Sequence, residues 1–342
     1  MNGHEEAFRE GSLFCLAPPL RFYLNLTERC QLRCRHCIND APRRTASQEA
    51  RDLSGVVLQK LGPHLLNASY ISLSHAGEPT FSRAFWPLLR IIAKIPEDQR
   101  PVVHLMSNGK VVDAQFFRRA VQHGVRSWMF SVDGLTPESH DWLRRGSSIH
   151  ELGEKIRELC SLRRQEGLKT RIGISWTVTH KNLHELSVLP DRAHEWGLDY
   201  IKLEEVCPVN PCAAELGDLP GAIFYPALKA FADRSKQLGL RFVDHTATMQ
   251  VFKCRMAFDS KMVEFSNADD YANSIAINPC QAPYDTIYVE PDGTVKPRSF
   301  HHRGAGNLLE LNLLDLWNGA EFQGWRRIVR NRRICQGQVT CL

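Results

Sequence analysis

The stretch "NLTERCQLRCRHCIND", from Asn25 to Asp40, places Cys30, Cys34 and Cys37 at the spacing C-x3-C-x2-C. A structural zinc ion usually takes four protein ligands, often as two pairs, and no fourth cysteine lies nearby in this sequence. A cubane iron–sulfur cluster held by three thiolates would leave one iron open to a small ligand. The spacing therefore favours a cluster site over zinc, a disulfide framework or three unrelated buried cysteines.

The composition is that of a globular protein without a membrane span. The chain has 342 residues, enough for one large α/β unit with an appendage or for two domains. No apolar run approaches the ~20 residues of a membrane span, and the polar N-terminus is unlike a secretory signal. We therefore expect a cytoplasmic protein with no membrane partner. In that compartment clustered cysteines serve metal or redox chemistry more often than disulfides.

The charge pattern gives no sign of a nucleic-acid site. The net charge of +5 is mild, and the basic residues do not form one dominant block. The densest run, "RRIVRNRR" from Arg326 to Arg333, is interpreted as the solvated face of a helix. We accordingly expect no nucleic-acid partner.

Short β-rich runs alternate with segments that carry apolar residues at helical spacing. Strands are expected at 20–27, 70–74, 102–107, 127–133, 171–178 and 200–206, and helices at 53–66, 84–95, 114–122, 149–164 and 183–196. Such alternation is typical of parallel βαβ units. Six units are too few for the closed eight-stranded barrel. The sequence therefore predicts an α/β fold, a partial (β/α)6 barrel whose ligand site lies at the carboxyl ends of the strands.

The pattern changes after about residue 240. The segment "DTIYVEPDGTVKPRSF", residues 285–300, predicts a β-hairpin that turns at 291–293, and a helix interrupted near Gly319 follows it. We therefore divide the chain into an N-terminal extension (1–19), the barrel (20–240) and a small C-terminal α+β domain of hairpin and helix (241–342).

With His36 in the ring position, the motif C-x3-C-x-aromatic-C after a first strand resembles that of the radical S-adenosylmethionine (radical SAM) superfamily. The resemblance implies a [4Fe–4S] cluster on Cys30, Cys34 and Cys37, whose open iron binds the amino and carboxylate groups of S-adenosylmethionine. It also implies reductive cleavage to a 5′-deoxyadenosyl radical, which abstracts a hydrogen atom from the substrate. A reducing partner such as flavodoxin or ferredoxin is expected with this chemistry.

Turns after the next strands resemble the cofactor-binding motifs of the same family. In "SHAGEPT" (74–80) Ala76 replaces the first Gly of Gly-Gly-Glu-Pro, and Glu78 matches the residue that receives the methionine ammonium. "MSNG" (106–109) and "FSVDGLTPESHDWLRRG" (130–146) follow later strands. By that match Ser131 would bond the ribose and Arg144 the methionine carboxylate, with Arg145 as the competing choice. The implied cofactor-binding set is His75, Gly77, Glu78, Asn108, Ser131, Arg144 and Val206.

The C-terminal cysteines resemble those of the auxiliary-cluster domain called SPASM or twitch. That resemblance implies a second, auxiliary [4Fe–4S] cluster with Cys280, Cys335 and Cys341 as ligands. The pattern of that domain places a cysteine where this sequence has Arg298. The fourth ligand is therefore left open between Cys254, substrate and solvent. The alternative is a scaffold that has lost its cluster.

Two reaction outcomes compete after hydrogen abstraction. Electron loss through the auxiliary cluster would convert an alcohol to a ketone, whereas a hydrogen returned by a thiol would give an epimer. Cys254 and Cys207 are the predicted catalytic donors, with Cys212 as a third choice.

The substrate is expected to be a small polar molecule. Only ~20 residues precede the first strand, fewer than the roughly 50 of a small recognition domain. We therefore expect a metabolite such as a sugar or an aminocyclitol in antibiotic assembly, and Glu204, Glu205 and His75 near strand ends would suit hydroxyl groups. Two other classes stay open: a peptide- or protein-modifying maturase, and a non-enzymatic metal-binding module that would hold zinc without iron.

Overall fold

Ten of the strands that the structure describes form one sheet. The computed structural model of the chain describes residues 3–74, 76–246, 281–297 and 304–334, the last four as backbone only. The strands are β1 Arg21–Leu24, β2 Arg33–Cys34, β3 Tyr70–Leu73, β4 Val102–Ser107, β5 Val125–Ser131, β6 Arg144–Arg145, β7 Arg171–Val178, β8 Tyr200–Glu205, β9 Arg241–Asp244, β10 Thr286–Val289, β11 Thr294–Lys296 and β12 Gly306–Asn307. The helices are α1 Gly3–Glu10, α2 Ala41–Ala46, α3 Gly55–Leu65, α4 Phe85–Ala93, α5 Ala114–Gln122, α6 Ile149–Gln165, α7 Leu189–Trp196, α8 Pro211–Leu216, α9 Gly221–Gln237, α10 Ala282–Asp285, α11 Leu313–Trp317 and α12 Ala320–Ile334.

The order of the large sheet is β12-β11-β10-β1-β3-β4-β5-β7-β8-β9. Neighbours from β10 to β9 run parallel, and helices connect the parallel strands β1, β3, β4, β5, β7, β8 and β9 in chain order. All six predicted strands are present, and each predicted helix lies between them. The predicted α/β partial barrel is therefore confirmed. None of the described helices is long and apolar enough to cross a membrane.

Two strands beyond the predicted six extend the parallel part of the sheet. β9 pairs with β8 at one edge, and β10 pairs with β1, where Arg21 lies opposite Thr286. The predicted hairpin is present as antiparallel β10 and β11, and the interrupted helix as α11 and α12. The hairpin therefore continues the barrel sheet, and the division of the chain at residue 240 stays a prediction.

Alternation along the strands buries one face of the sheet against the helices. Phe22, Ile71, Leu105, Trp128 and Ile174 are fully buried in one apolar cluster with side chains of the surrounding helices. These five residues come from five neighbouring parallel strands. Because this face of each strand packs against the outer helices, the alternate side chains point into the barrel.

The inner face is polar, and a chain of contacts crosses it near the amino ends of the strands. Tyr70 stacks on His104 with ring centroids 6.3 Å apart, and His104 Nδ1 lies 2.9 Å from the hydroxyl of Ser127. That hydroxyl lies 3.1 Å from the hydroxyl of Tyr200, which donates to the carbonyl of Trp128 at 2.8 Å. This contact chain fills the amino-terminal end of the barrel and leaves the carboxyl end for a ligand.

The N-terminal segment and the last helix meet at Arg326. Its side chain is fully buried and donates to the carbonyls of Pro283 and Leu13, each at 2.9 Å, and to Asn318 Oδ1 at 3.0 Å. The guanidinium also lies 4.5 Å from the ring centroid of Trp317. Burial lowers the pKa of Arg326 to about 10. The interpretation of this basic run as a solvated helix face is therefore wrong at Arg326, because carbonyl acceptors replace water around the cation.

Candidate functional site

The three cysteines lie in the loop between β1 and α2, and a short ribbon fixes that loop. β2 pairs antiparallel with β6, which sets Cys34 opposite Arg144. The Leu32 amide lies 3.4 Å and Asn108 Nδ2 3.7 Å from Cys30 Sγ, and Arg144 Nη1 lies 3.9 Å from Cys34 Sγ. All three cysteines are free and partly exposed. They are therefore available as ligands, with N–H donors beside two of the sulfurs.

Electrostatic interactions also connect the three thiols. Burial raises the pKa of Cys30 to about 11 and that of Cys34 to about 12. Negative charge on Cys37 would raise both further, whereas the cation of Arg144 acts in the opposite direction. Iron binds thiolates and displaces their protons, and N–H donors and a cation stabilise thiolates. The donor set therefore fits a [4Fe–4S] cluster.

A cubane cluster does not require its ligands to converge on one point, because each thiolate binds a separate iron. Among the described residues, no group of three His, Cys, Asp or Glu side chains is close enough to hold a single metal ion. The cysteine loop therefore suits a cluster and not a single metal ion.

A buried ion network connects the cysteine loop to the sheet. Asp133, just beyond β5, is fully buried, and its Oδ2 lies 3.0 Å from His36 Nε2 and 2.5 Å from Arg144 Nε. Its Oδ1 accepts the amide hydrogen of Thr177 at 2.7 Å. Burial alone would raise the pKa of Asp133, but Arg144 and His36 hold it well below its usual range. We call Asp133, His36 and Arg144 the Asp133 network. Sequence reasoning assigned no role to Asp133, although it stands inside the quoted segment "FSVDGLTPESHDWLRRG".

Arg144 and Arg145 are the two alternative residues predicted to bind the methionine carboxylate, and they lie in different surroundings. Arg144 has 11% of its side chain exposed and lies beside Asp133 and Cys34. Arg145 is exposed and lies opposite Arg33 on the ribbon. Of the two, Arg144 is the one that the structure places beside a cysteine of the cluster loop. Its contact with S-adenosylmethionine stays a prediction.

Glu78 lies beyond the end of β3 and is almost fully buried. Its Oε1 accepts hydrogen bonds from the amide and hydroxyl of Thr80 and from the hydroxyl of Ser107, at 3.2, 2.6 and 2.8 Å. Its Oε2 accepts one, from the amide of Asn108 at 2.7 Å. Burial raises the pKa of Glu78, while these donors act to lower it. A carboxylate has about four acceptor sites on its two oxygens, so Oε2 retains room for a further donor such as an ammonium group.

The loop after β3 explains how Ala76 replaces glycine in the motif. Ala76 has φ of +70°, in the left-handed region that favours glycine, and its carbonyl accepts from Asn39 Nδ2 at 2.8 Å. Gly77 is needed for space instead, because a Cβ there would lie 2.2 Å from the carbonyl oxygen of Arg29. The left-handed backbone therefore falls on Ala76, and the close approach to the backbone of Arg29 falls on Gly77. His75 lies outside the described residues.

The other predicted cofactor residues differ in what they touch. Asn108 contacts Glu78 through its amide and Cys30 through its side chain, so it joins the Glu78 loop to the cysteines. Ser131 is the buried last residue of β5. Val206 packs in a small apolar cluster after β8, so its visible role is in packing.

A charged triad lies at the carboxyl ends of β8 and β9. Glu204 forms ion pairs with Lys202 and with His245, whose Nδ1 lies 3.2 Å from Glu204 Oε2. Burial alone would raise the pKa of Glu204, but Lys202 and His245 hold it well below its usual range. Lys202 lies opposite Ser175, which lies opposite Ser131, so all three share one row across the sheet. We call Lys202, Glu204 and His245 the Glu204 triad.

Sequence reasoning noted Glu204 but missed its two partners. Lys202 and Glu204 stand two positions apart on one strand, so alternation alone could have placed them on one face. His245 follows β9, a strand that the sequence pattern did not predict. A second pair at the carboxyl ends of β1 and β10 was also missed: Lys296 Nζ lies 2.7 Å from Glu290, which also accepts from Asn25 Nδ2 at 2.8 Å.

The predicted catalytic cysteines are only partly described. Cys207 lies two residues beyond β8 and is half-buried; burial, with a contribution from Glu205, raises the pKa of its thiol. Cys207 therefore keeps its proton at neutral pH. Cys212 is half-buried in α8. The remaining predicted residues lie outside the described ranges: Cys254, Cys280, Arg298, Cys335 and Cys341.

Two family signatures match the sequence. The signature of the radical SAM superfamily matches residues 24–186, which hold the cysteine loop, the Glu78 loop and the Asp133 network. Residues 24–186 form a radical SAM domain. The signature of the iron–sulfur cluster-binding SPASM domain matches residues 280–341. The predicted family is thereby confirmed, and with it a [4Fe–4S] cluster, S-adenosylmethionine and an auxiliary cluster as cofactors. Which residues bind them stays a prediction.

Solved radical SAM structures share the fold. SuiB of Streptococcus suis, bound to S-adenosylmethionine, superposes with a TM-score of 0.67 at 16% identity, over 95% of this chain and 71% of that one. The structure of anSMEcpe with bound AdoMet gives 0.62 at 17% identity, over 90% and 79%. At these identities the likeness is one of fold alone.

Curated relatives match a smaller part of the chain. The tungsten-containing aldehyde ferredoxin oxidoreductase cofactor-modifying protein of Pyrococcus furiosus is 25% identical over 191 residues, 55% of this chain and 52% of that protein. The GTP 3′,8-cyclase of Syntrophomonas wolfei is 27% identical over 137 residues, 39% of this chain and 40% of the relative. The chain thus spans about half the length of these relatives or less.

Proposed function

We propose that this radical SAM enzyme removes a hydrogen atom from a small polar substrate rich in hydroxyl or amino groups, such as a sugar or an aminocyclitol. The observation that carries the proposal is the charge at the carboxyl ends of the strands, where the Glu204 triad and the pair of Glu290 and Lys296 lie on the two sides of the barrel. Sites built from polar groups select ligands that can pair with them, because an apolar ligand would leave those groups unpaired.

The cofactor side of the site follows from the residues already described. When bound, the [4Fe–4S] cluster and S-adenosylmethionine supply a 5′-deoxyadenosyl radical. Cys30, Cys34 and Cys37 hold the cluster, Glu78 offers Oε2 to an ammonium group, and Ser131 offers a hydroxyl to the ribose. These roles need no movement of the strands, since each residue stands in or next to a carboxyl end of the sheet or in the cysteine loop.

The substrate side begins at the Glu204 triad. Glu204 stays ionised at neutral pH and can accept hydrogen bonds from hydroxyl groups, while Lys202 can donate them. Lys202 lies two strands from Ser131 in the same row of the sheet, roughly 10 Å at the usual strand spacing. A small ring can therefore lie between the predicted ribose contact and the triad.

Cys207 is proposed as the hydrogen donor if the product is an epimer. A protonated thiol carries the hydrogen atom that must return to carbon, and the raised pKa of Cys207 keeps it in that form. The thiyl radical left on sulfur would take one electron from the reducing partner and one proton from solvent, which restores the thiol. In the dehydrogenase outcome the substrate radical would lose a proton to solvent and one electron, for which a bound auxiliary cluster would be the acceptor, and the product would be a ketone. Reaction in deuterated water separates the two, since deuterium enters the carbon of an epimer and a ketone is two hydrogens lighter.

The test uses anaerobically reconstituted protein and measures 5′-deoxyadenosine with a panel of aminosugars, aminocyclitols and short peptides. We expect a polar metabolite to stimulate its formation. Lys202→Met should raise KM at least about tenfold, because hydrogen bonds to charged groups contribute about 1.5–3 kcal/mol. The control is Lys229→Met, which removes an exposed lysine of α9 paired with Asp233 and should leave KM unchanged.

Stimulation by peptides alone would overturn the proposal in favour of a peptide-modifying enzyme. One solved structure of SuiB contains its precursor peptide SuiA, which makes that class the natural comparison. Reconstitution that yields stoichiometric zinc and no iron would contradict both classes together.

A further inference from the structure

One charged surface outside the site is adjacent to the cluster cysteines. It lies on the ribbon of β2 and β6, where Arg33 faces Arg145 and Cys34 faces Arg144 across the two strands. Successive residues of a strand point to opposite faces, so the ribbon has two different sides. Cys34 and Arg144 point inward, where Arg144 Nη1 lies 3.9 Å from Cys34 Sγ. Arg33 and Arg145 are exposed on the other side.

Two more cations lie beside this ribbon, close to the ring of Trp142. The guanidinium carbon of Arg35 lies 4.1 Å from the ring centroid of Trp142, and Lys181 Nζ lies 4.9 Å from the same centroid. Arg35 Nε also donates to the carbonyl of Trp142 at 3.0 Å, so Arg35 contacts both the ring and the backbone of this residue. We call the surface formed by Arg33, Arg35, Arg145, Lys181 and Trp142 the cationic ribbon.

The charge of the cationic ribbon is not neutralised within the described part of the chain. Its four cations form no ion pair there. Arg43 and Arg51, which follow the cysteine loop, show the contrast: Arg43 pairs with Asp40 at 2.5 Å, and Arg51 pairs with Glu28 at 2.6 Å. The uncompensated positive charge thus lies on the ribbon that holds Cys34 and around the neighbouring Trp142.

We infer that the cationic ribbon docks an acidic one-electron carrier of the flavodoxin or ferredoxin class. The inference rests on the proposed function, because it requires a cluster on Cys30, Cys34 and Cys37. One electron leaves the reduced flavin or iron–sulfur centre of the carrier and enters the cluster; no bond is made or broken and no proton is transferred between the proteins. The ribbon is one strand layer thick, so a carrier on its outer side approaches the cluster site closely.

The composition of the surface fits a protein partner. Arginine and tryptophan are enriched at protein interfaces, where a rigid aromatic side chain supplies contact area. Complementary charge raises the rate of association and makes it sensitive to salt. Glu138 lines the cleft beside Lys181 together with His180 and His184, which limits the cationic ribbon at that edge. RNA and anionic membranes are the competing partners for such a patch, and the experiment includes both.

The experiment compares the double variant Arg33→Glu/Lys181→Glu with the control Arg90→Glu/Lys236→Glu. The control makes the same change of charge at exposed cations of α4 and α9. Binding of a purified flavodoxin and of a [2Fe–2S] ferredoxin to the reconstituted protein is measured at low and physiological salt. We expect at least about tenfold weaker binding of one carrier by the double variant at low salt. The control should bind as the wild type does, and the wild type should lose affinity as salt rises.

Formation of 5′-deoxyadenosine with dithionite as reductant separates this inference from the proposed function. Dithionite is a small molecule that needs no docking surface, so both variants should react with it like the wild type. Wild-type protein that forms none with dithionite would refute the proposed function. Normal dithionite reaction together with undiminished carrier binding by the double variant, or with no carrier binding by the wild type, would overturn the docking inference. Selective loss of RNA or anionic-vesicle binding at physiological salt, with carrier binding retained, would assign the cationic ribbon to that partner instead.

Discussion

Replacing Asp133 by asparagine tests how strongly the Asp133 network holds the cysteine loop. The side chain of Asp133 is 0% exposed, and those of Arg144 and His36 are 11% and 9% exposed. Removal of one partner from a buried ion pair typically costs 3–5 kcal/mol, because the other charge is left buried and unpaired. Asparagine keeps an oxygen for the amide of Thr177, which donates at 2.7 Å. We therefore expect the free energy of unfolding to fall by about 3–5 kcal/mol, and the lost charge contacts alone should account for this change.

The assay is urea unfolding of the protein without cofactors, followed by tryptophan fluorescence. The matched control is Asp191→Asn, since Asp191 and Arg234 form the same kind of pair with both side chains 42% exposed. Solvent screens an exposed pair, so Asp191→Asn should reduce the free energy of unfolding far less than Asp133→Asn does. The double variant Asp133→Asn/Arg144→Met removes both buried charges and should recover more than about 1 kcal/mol of the loss.

Two results would refute this reasoning. A loss below about 1 kcal/mol for Asp133→Asn would mean that the pair behaves as a solvated one. An equal loss in the Asp133→Asn single variant and in the double variant would mean that the unpaired cation of Arg144 is not the cause. Metal content gives an independent readout: if the network positions the loop, Asp133→Asn protein should also retain less iron than the Asp191→Asn control.

Three further outcomes follow from individual residues. Alanine at Cys30, Cys34 or Cys37 should abolish both 5′-deoxyadenosine formation and the binding of about four irons by this site; retained formation in any one variant would contradict the assignment. Ala76→Gly should stabilise the protein by up to about 1 kcal/mol, since a left-handed L-residue costs about 1–2 kcal/mol and glycine gives back about 0.5–1; thermal unfolding that shows a net loss would mean that the methyl group is needed. Arg326→Met should cost about 2–6 kcal/mol, since it leaves two carbonyls without their donor at about 1–3 each; an unchanged unfolding midpoint would show that water replaces the guanidinium.

Most of the barrel could be predicted because its signals are local in the sequence. Each of the six predicted strands alternates with a helix, and period-2 and period-3.6 patterns need only a short window to detect. β9 was missed because only two of its four residues, Phe242 and Val243, are apolar, and both of its ends are charged, at Arg241 and Asp244. The pairing of β10 with β1 could not be predicted, because Arg21 and Thr286 lie far apart in the sequence and pairing register is not a local property.

The same distinction applies to the site. The cysteine motif was predicted because its three ligands stand within one loop, where spacing alone carries information. The contact of Arg144 with Cys34 joins residues 110 positions apart and depends on the register of a ribbon of two residues per strand. His36 was predicted only as the ring of the motif. Its ion pair with Asp133 follows from how the loop folds back onto β5, for which the sequence carries no periodic signal.

The ribbon of β2 and β6 connects the stability of the cysteine loop with the supply of electrons. On its inner side the cation of Arg144 is neutralised by Asp133, so this charge helps to hold the loop without leaving a field in the solvent. On its outer side Arg33 and Arg145 have no such partner among the described residues, so their charge extends into the solvent and can attract an acidic protein. The two sides therefore predict opposite salt dependence: screening should weaken carrier binding and leave the buried Asp133 network almost unchanged. A variant of Arg33 should therefore change carrier binding and leave the Asp133 network intact, whereas a variant of Asp133 should disturb that network and leave the docking surface intact.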